Sequence, residues 1–321
     1  MSYSTAQFSG LSALFKIDLK LFILVILIVV IGLATLYSVS GGDTNLIIKQ
    51  LIRIAVGLTA MILLAQIHPD NFRLFSPLLY IFGVILLVLT IFFGVGKSAD
   101  RWLDFYILRF QPSELMKLFV PLMIASFYSD KALPPKLKNL SIAVIIIVVP
   151  ALLIAKQPDL GTALLITSSG VIAIFLSGIK LAHIFLGTAL VIGAIPLLWS
   201  FMYEYQKSRV LSFFSPNTDA LGTGYHLAQS KISLGSGGLF GKGYMNGTQS
   251  QLDFLPENHT DFIFSAFGEE FGFIGVIILI SLYVLVVLRG MSISIKATDN
   301  FSRILSATLI LTIFLYVLVN V

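Results

Sequence analysis

Two oppositely charged residues, Glu114 and Lys117, stand at the start of an apolar segment, where charges are unusual. They are three residues apart, so on a helix they share a face and can pair. Charged side chains inside apolar, membrane-length helices are costly unless they pair or line a polar cavity. The spacing therefore predicts a functional cavity at this point. A structural ion pair between helices is the alternative.

One carboxylate, Asp261, stands where the long polar stretch 203–262 meets another apolar segment. A carboxylate at a water–lipid boundary can reach a lipid-borne head group and still exchange protons with bulk water. Both properties suit a general base. Aspartate is also a favoured residue for capping the start of a helix. Position alone leaves catalysis and capping open.

The string Lys156-Gln157-Pro158-Asp159 separates two further apolar segments. Its simplest interpretation is a polar turn in which Asp159 caps the next helix. Polar and helix-breaking residues at the end of a helix can also line a cavity, so this string is a second candidate for the same site.

A glycine-rich stretch from Gly235 to Gly243, here called the glycine segment, invites comparison with phosphate-binding loops. It fails the P-loop pattern at Ser236 and Gly243, and it fails the dinucleotide pattern at Phe240. It is therefore interpreted as a tight turn or a re-entrant segment in which glycine allows close packing. Backbone N–H groups that cradle a lipid pyrophosphate are the alternative.

Other acidic and metal-ligating residues offer weaker candidates. Glu269 and Glu270 are adjacent on a predicted helix, so they point about 100° apart and cannot form one paired site. We expect one of them to contact a neighbouring helix. His259 and Asp261 lack the spacing of a metalloprotease motif, so no metal site is predicted from this pattern.

Composition identifies the kind of protein that must position these residues. Of the 321 residues, 57% are hydrophobic and 12% charged, against about 45–50% and 25% in soluble domains. The mean hydropathy of +0.96 is too high for a soluble fold of this length. The chain has no cysteine, which excludes disulfides and thiolate chemistry. No basic run or face stands out, so no nucleic-acid partner is expected.

Apolar runs of about 20 residues predict membrane-spanning helices. We predict an all-α polytopic membrane protein with about nine spans: Leu19–Val39, Ile47–Gln66, Phe75–Val95, Leu115–Tyr128, Leu140–Ala155, Gly161–Ile179, Leu181–Met202, Ile263–Leu288 and Ile304–Val321. Lysine and arginine in the short loops favour a cytoplasmic N-terminus. Residues 203–262 then form a large extracytoplasmic loop between the seventh and eighth spans, within one transmembrane domain over 1–321.

Several of these strings together resemble the SEDS family (shape, elongation, division and sporulation), and its RodA branch more than its FtsW branch. They are Arg101 to Leu103, Gln111 to Lys117, Lys156 to Thr162, Tyr225 to Gly243, Leu252 to Phe264 and Glu269 to Gly272. Their common order over nearly the whole chain makes the resemblance specific.

The resemblance implies a fold of ten transmembrane helices in the bacterial cytoplasmic membrane. It also implies a peptidoglycan glycosyltransferase that polymerises lipid II during cell elongation, together with a class B penicillin-binding protein that crosslinks the strands. The family's essential acidic residue falls on Asp261. Its cavity residues fall on Arg101, Trp102, Glu114, Lys117, Lys156, Gln157, Asp159 and Arg209. Family members carry a tenth helix and, near it, a glycine-rich element that contributes to the central cavity, and neither is found up to Val321.

The chemistry that the resemblance implies suits these residue types. A general base must take a hydroxyl proton, and Asp261 can do so. The departing pyrophosphate needs cations, which Arg101, Lys117, Lys156, Arg209 or a bound divalent cation such as Mg²⁺ or Mn²⁺ would supply. No other cofactor is expected. A lipid II flippase and a non-catalytic scaffold of the cell-wall machinery are the competing interpretations.

Overall fold

The structure is a computed structural model that describes residues 16–96, 101–104, 109–202, 204, 207, 211, 223–251 and 260–320. The described chain is almost entirely helical. Its helices are α1 (Leu19–Val39), α2 (Thr44–Ala65), α3 (Pro69–Phe93), α4 (Pro112–Ser129), α5 (Leu137–Lys156), α6 (Leu160–Leu176), α7 (Leu181–Phe201), α8 (Thr223–Ser236), α9 (Thr248–Gln251), α10 (Ile263–Ile295) and α11 (Asn300–Asn320). Two short strands, β1 (Leu103–Asp104) and β2 (Arg109–Phe110), pair antiparallel.

Each of the nine predicted spans coincides with one of these helices. Among the described helices, α1, α2, α3, α5, α10 and α11 are long and apolar enough to cross a membrane. Helices α4, α6 and α7 are shorter or more polar within the described residues. That these three also cross stays a prediction, as does the total number of spans. The all-α architecture is confirmed.

Local sequence signals explain where several helices begin. Asp18 caps α1 by accepting a hydrogen bond from the Leu21 N–H at 2.9 Å, and Asp43 caps α2 in the same way. Proline occupies the first position of α3 (Pro69) and of α4 (Pro112), where its missing N–H costs nothing. These devices place the helix ends within a few residues of the predicted span boundaries.

The described chain forms two compact units, each built from distant segments. The first comprises Met1–Ile67, Phe201–Arg289 and Asn320–Val321, and the second comprises His68–Ser200 and Gly290–Val319. In the second unit, helices α3, α4, α5 and α6 pack around buried residues such as Met116, Ile124, Tyr128 and Ile166. Tyr80 ties α3 to α5 through a hydrogen bond to the Ile146 carbonyl oxygen.

In the first unit, much of the apolar surface faces outward. No residue of α2 is buried, although the helix is rich in leucine and isoleucine. A soluble protein rarely leaves so continuous an apolar surface uncovered. This surface needs lipid or other membrane helices around it, in agreement with the composition. Arg289 of α10 pairs with Asp18 in the same unit, with Nε 3.0 Å from Oδ1.

Candidate active site

Three predicted cavity residues of the second unit come together where α5 ends and α6 begins. The Arg101 Nε donates a hydrogen bond to the Gln157 carbonyl oxygen at 3.3 Å, and its guanidinium also donates to the Pro158 carbonyl. Its Nη1 lies 3.8 Å from Asp159 Oδ2. The other oxygen of Asp159 accepts a hydrogen bond from the Thr162 N–H at 3.2 Å and so caps α6. The predicted cap is confirmed, and the same carboxylate also holds an arginine.

Two glutamine side chains complete this cluster. The Gln111 side-chain amide donates to Asp159 Oδ2 at 3.0 Å. Gln157 is buried, and its amide donates to the Leu87 carbonyl of α3 at 2.9 Å, so it fixes the turn against that helix. Sequence reasoning did not single out Gln111 because an uncharged residue beside Pro112 gives no strong signal. The sequence indicated a role for Gln111 only through its place in the string Gln111 to Lys117.

Glu114 and Lys117 form the predicted pair on the first turns of α4. Lys117 Nζ lies 2.7 Å from Glu114 Oε1. The lysine side chain is largely buried, whereas the glutamate side chain is 55% exposed. Lys117 Nζ also lies 5.0 Å from the centre of the Tyr316 ring of α11, close enough for a cation–π contact. The pair therefore joins two helices of the second unit and leaves one carboxylate accessible.

Trp102 and Lys156 are held less tightly than the residues above. Trp102 exchanges two backbone hydrogen bonds with Val95, at 2.8 and 3.2 Å, and its side chain is partly exposed. Lys156 is the last residue of α5 and is exposed, and among the described residues it forms no ion pair. Arg209 lies outside the described residues, so its predicted role stays a prediction.

Asp261, in the first unit, lies two residues before the start of α10 and is exposed. The first hydrogen bonds of α10 run from the N–H groups of Ser265 and Ala266 to the Phe262 carbonyl. Among the described residues, no N–H of that first turn donates to the Asp261 side chain. The carboxylate therefore does not cap the helix there, and it is accessible for another purpose.

Helix α10 is broken at Gly272, and the glycine segment repairs the break. Gly272 has φ 66° and ψ −169°, which interrupts the helical hydrogen bonding. The carbonyls of Glu269 and Glu270 instead accept from the N–H groups of Lys242 and Gly243, both at 3.0 Å. In return, the Phe273 N–H donates to the Gly238 carbonyl at 2.9 Å.

This exchange brings two backbones into direct contact. A Cβ added at Gly241 would lie 2.0 Å from the Glu270 carbonyl oxygen, and one at Gly237 would lie 2.2 Å from that of Gly268. Only glycine fits at such distances. The N–H groups of Gly241, Lys242 and Gly243 are already bonded within the protein. The close-packing interpretation of the glycine segment thus agrees with the structure, and these three N–H groups do not form a phosphate cradle.

The Glu269 side chain anchors the same segment and is fully buried. Its Oε1 lies 2.6 Å from Lys242 Nζ and accepts from the Thr248 hydroxyl at 3.0 Å. The Gln249 N–H and the Ser233 hydroxyl also donate to the carboxylate. One buried charge therefore collects donors from α8, the glycine segment and α9, and each donor offsets part of its desolvation cost.

The Glu270 side chain points in a different direction from that of Glu269, as adjacent positions on a helix predict. Its carboxylate accepts a hydrogen bond from the Ser38 hydroxyl of α1. The prediction that one member of the pair contacts a neighbouring helix is confirmed. The described residues bring no three histidine, cysteine or acidic side chains together for a metal. The divalent cation therefore stays a prediction.

The helical fold and its apolar surfaces define a polytopic helical membrane protein. Ion pairs and an accessible carboxylate lie on or beside its apolar helices. A family profile described as cell cycle protein (FtsW, RodA and SpoVE) matches residues 13–321. The chain therefore belongs to the FtsW/RodA/SpoVE family, and the resemblance seen in the motif strings is confirmed.

Curated relatives carry names from this family. The chain is 46% identical over 307 residues to the peptidoglycan glycosyltransferase MrdB of Escherichia coli, covering 95% of this chain and 83% of that protein. It is 32% identical to the stage V sporulation protein E of Bacillus subtilis, covering 95% and 86% of the two chains.

Solved structures agree with this membership. A chain from a structure described as a peptidoglycan synthase complex that coordinates polymerization and crosslinking matches with a TM-score of 0.81 and 26% identity, covering 94% of this chain and 85% of that chain. The rod shape determining protein RodA of Thermus thermophilus matches with a TM-score of 0.69 and 25% identity, covering 94% and 83%.

Proposed function

We propose that this protein is a peptidoglycan glycosyltransferase that polymerises lipid II into glycan strands during cell elongation. Family membership and a relative at 46% identity that bears this activity in its name support the proposal. The single structural observation that carries it is Asp261, an exposed carboxylate that accepts no N–H of the α10 first turn among the described residues. An exposed carboxylate at the boundary of an apolar helix is available for chemistry.

In the proposed reaction, the 4-hydroxyl oxygen of one sugar attacks the anomeric carbon of another. A new glycosidic bond forms while the bond from the anomeric carbon to the lipid pyrophosphate breaks, and the pyrophosphate departs with the bonding electrons. The hydroxyl proton passes to the Asp261 carboxylate, which returns it to water. Asp261 is regenerated when the proton leaves, so it can act in the next addition.

The charged residues of the second unit are proposed to bind the anionic substrate. Arg101 is held by two backbone carbonyls and by Asp159, so its guanidinium is fixed in place. Lys117 is fixed between Glu114 and Tyr316. Cations held in place before the substrate arrives stabilise developing negative charge without reorganising, which is the property that a departing pyrophosphate requires.

A class B penicillin-binding protein is the proposed partner, and the bacterial cytoplasmic membrane, with the N-terminus in the cytoplasm, is the proposed location. The structural relative described as coordinating polymerization and crosslinking supports the partner. The apolar helices support the membrane location, and the basic residues of the short loops support the orientation.

The direct test is to reconstitute the purified protein in liposomes with labelled lipid II, with and without the crosslinking partner. Glycan length is read on gels, and lipid II translocation is read by its accessibility from outside. We expect glycan strands and no protein-dependent translocation. Translocation without glycan strands would instead identify a flippase, and neither activity in the presence of partner binding would identify a scaffold.

A further inference from the structure

Two adjacent carboxylates of α10, Glu269 and Glu270, hold a segment of the first unit that the proposed reaction does not use. This segment comprises residues 242–249, runs from the end of the glycine segment into α9, and is here called the connecting segment. Both carboxylate side chains are buried. Buried charges in an apolar helix carry a large desolvation cost, and those that persist commonly serve a function. Their contacts indicate what that function is.

Glu269 forms a closed triangle of contacts with two side chains of the connecting segment. The Thr248 hydroxyl donates to Glu269 Oε1 at 3.0 Å and accepts from Lys242 Nζ at 2.8 Å. Lys242 Nζ lies 2.6 Å from the same Oε1. The Gln249 N–H donates to both carboxylate oxygens, at 3.1 and 3.2 Å. This N–H belongs to the first turn of α9, where N–H groups have no partner within their own helix. A side chain of α10 therefore fixes the start of α9.

Glu270 holds the connecting segment through α1. Its carboxylate accepts a hydrogen bond from the Ser38 hydroxyl, and the Ser38 oxygen accepts one from the Met245 N–H at 3.1 Å. The Tyr244 hydroxyl also donates to the Ala34 carbonyl of α1 at 3.0 Å. The connecting segment is therefore fixed to two helices, α1 and α10, of the first unit.

Asp261 is joined along the chain to both sides of the contact between Glu269 and α9. It lies eight residues before Glu269, just ahead of the start of α10. It also lies ten residues after Gln251, the last residue of α9. The contact thus fixes two points of the chain, one on each side of Asp261. Fixing two such points reduces the conformations that are open to the chain between them.

We propose that Glu269 is a positioning residue for Asp261. By holding α9 against α10, it fixes the backbone that presents the Asp261 carboxylate to the sugar hydroxyl. The inference rests on the proposed function, because it assigns Glu269 a task in the same reaction. A general base must lie within hydrogen-bond reach of the proton that it takes, and a displacement of about 1 Å can lower a rate about 100-fold. Glu269 itself is buried, so its effect passes through Asp261.

Thr248→Val tests the proposal with little effect on folding, because Thr248 is exposed and valine has nearly the same shape. Thr248→Ser restores the hydroxyl and is the conservative variant. Ser230→Ala is the matched control. It removes a hydroxyl contact between α8 and α10, the one between Ser230 and Ser265, without touching Glu269. Glu269→Gln is the stronger variant, assayed at a temperature at which its thermal melt shows the folded protein.

The first readout is the rate of lipid II polymerisation in liposomes, with kcat and KM measured separately. We expect Thr248→Val to lower kcat about tenfold and Glu269→Gln about 100-fold, since both displace the base. KM should change less than about twofold, because the lost interaction acts in the transition state. Thr248→Ser and Ser230→Ala should keep the wild-type kcat. Adding Thr248→Val to Glu269→Gln should cost little more, since both changes break one contact.

The second readout is amide hydrogen exchange of the peptide that contains Gln249, which needs no polymerisation. Exchange should be about fivefold faster in Thr248→Val, the factor expected for one hydrogen bond, and unchanged in Ser230→Ala. The proposal is overturned if the wild type polymerises and both Thr248→Val and Glu269→Gln keep its kcat. An equal loss of kcat in Ser230→Ala, or a change in KM alone, would also overturn it. A wild type that makes no glycan would instead refute the proposed function, and this inference with it.

Discussion

Replacing Gly241 by alanine should destabilise the protein more than any other single methyl added to the glycine segment. Gly241 has φ +81°, a conformation that L-residues rarely adopt. A Cβ there would also lie 2.0 Å from the Glu270 carbonyl oxygen and 2.7 Å from the Gly272 nitrogen. Both contacts are to backbone, so no side chain can rotate away. The two backbones must separate where α10 is broken.

The expected magnitude follows from two costs. An alanine in the left-handed conformation costs about 1–2 kcal/mol. Overpacking a closely packed site costs about 1–3 kcal/mol. Together they predict that Gly241→Ala lowers the free energy of unfolding by about 2–5 kcal/mol. A loss of this size is a large part of the total stability of an ordinary domain.

Two neighbouring glycines separate these costs. Gly238 has φ +57°, but a Cβ there meets no atom within 4 Å, so Gly238→Ala should lose only the conformational part, about 1–2 kcal/mol. Gly235 lies near the end of α8 with open space around it, and its φ lies outside the left-handed range. Gly235→Ala should therefore stabilise the helix by about 0.5–1 kcal/mol.

The free energy of unfolding of the three variants is measured by denaturing-detergent titration in mixed micelles, beside the wild type. The predicted order of stability is Gly235→Ala above the wild type, then Gly238→Ala, then Gly241→Ala. If Gly241→Ala is as stable as the wild type and yet loses activity, the reasoning is refuted. The glycine segment would then serve a ligand and not the packing of α10.

Three further outcomes follow from the ion pairs. Glu269→Gln should lower the free energy of unfolding by about 3 kcal/mol, because one amide oxygen cannot replace a buried carboxylate that faces a lysine; an unchanged unfolding midpoint would contradict this. In a double-mutant cycle, Glu114→Ala and Lys117→Ala should couple by about 1 kcal/mol, since the glutamate is half exposed; additive losses would contradict pairing. The Arg289 guanidinium beside Asp18 holds the pKa of that carboxyl below its ordinary value. The pair therefore stabilises the folded protein above a pH of about 4, and this contribution to stability is lost as the pH falls further. Thermal melts between about pH 6 and 3 should therefore show a fall in stability that is smaller in Asp18→Asn than in the wild type.

The positions of the helices could be predicted from the sequence because a membrane span needs a long apolar run, and few other structures do. The capping role of Asp159 was also predictable, since an aspartate before an apolar run satisfies the first N–H groups of a helix. The pairing of Glu114 with Lys117 followed from helical spacing alone. These features depend on residues close together in the chain.

Other features depend on contacts between distant residues, and the sequence could not reveal them. The break in α10 at Gly272 is stable only because residues 238–243 supply the missing hydrogen bonds from about 30 residues away. Likewise, the sequence could not show which side chains face Arg53 of α2. The sequence shows a basic residue on an apolar helix, but only the fold shows that an amide and no described carboxylate faces it.

The central claim, that Asp261 is the general base of a lipid II polymerase, is tested most directly by the polymerisation rate of Asp261→Asn. Asparagine keeps the size of the side chain but cannot take the proton, and the exposed position should tolerate it without loss of stability. Asp299→Asn, at another exposed aspartate before a helix, is the matched control. We predict a rate about 10²–10⁴-fold below the wild type for Asp261→Asn, with normal folding, and an unchanged rate for the control. A rate near that of the wild type in Asp261→Asn would contradict the account.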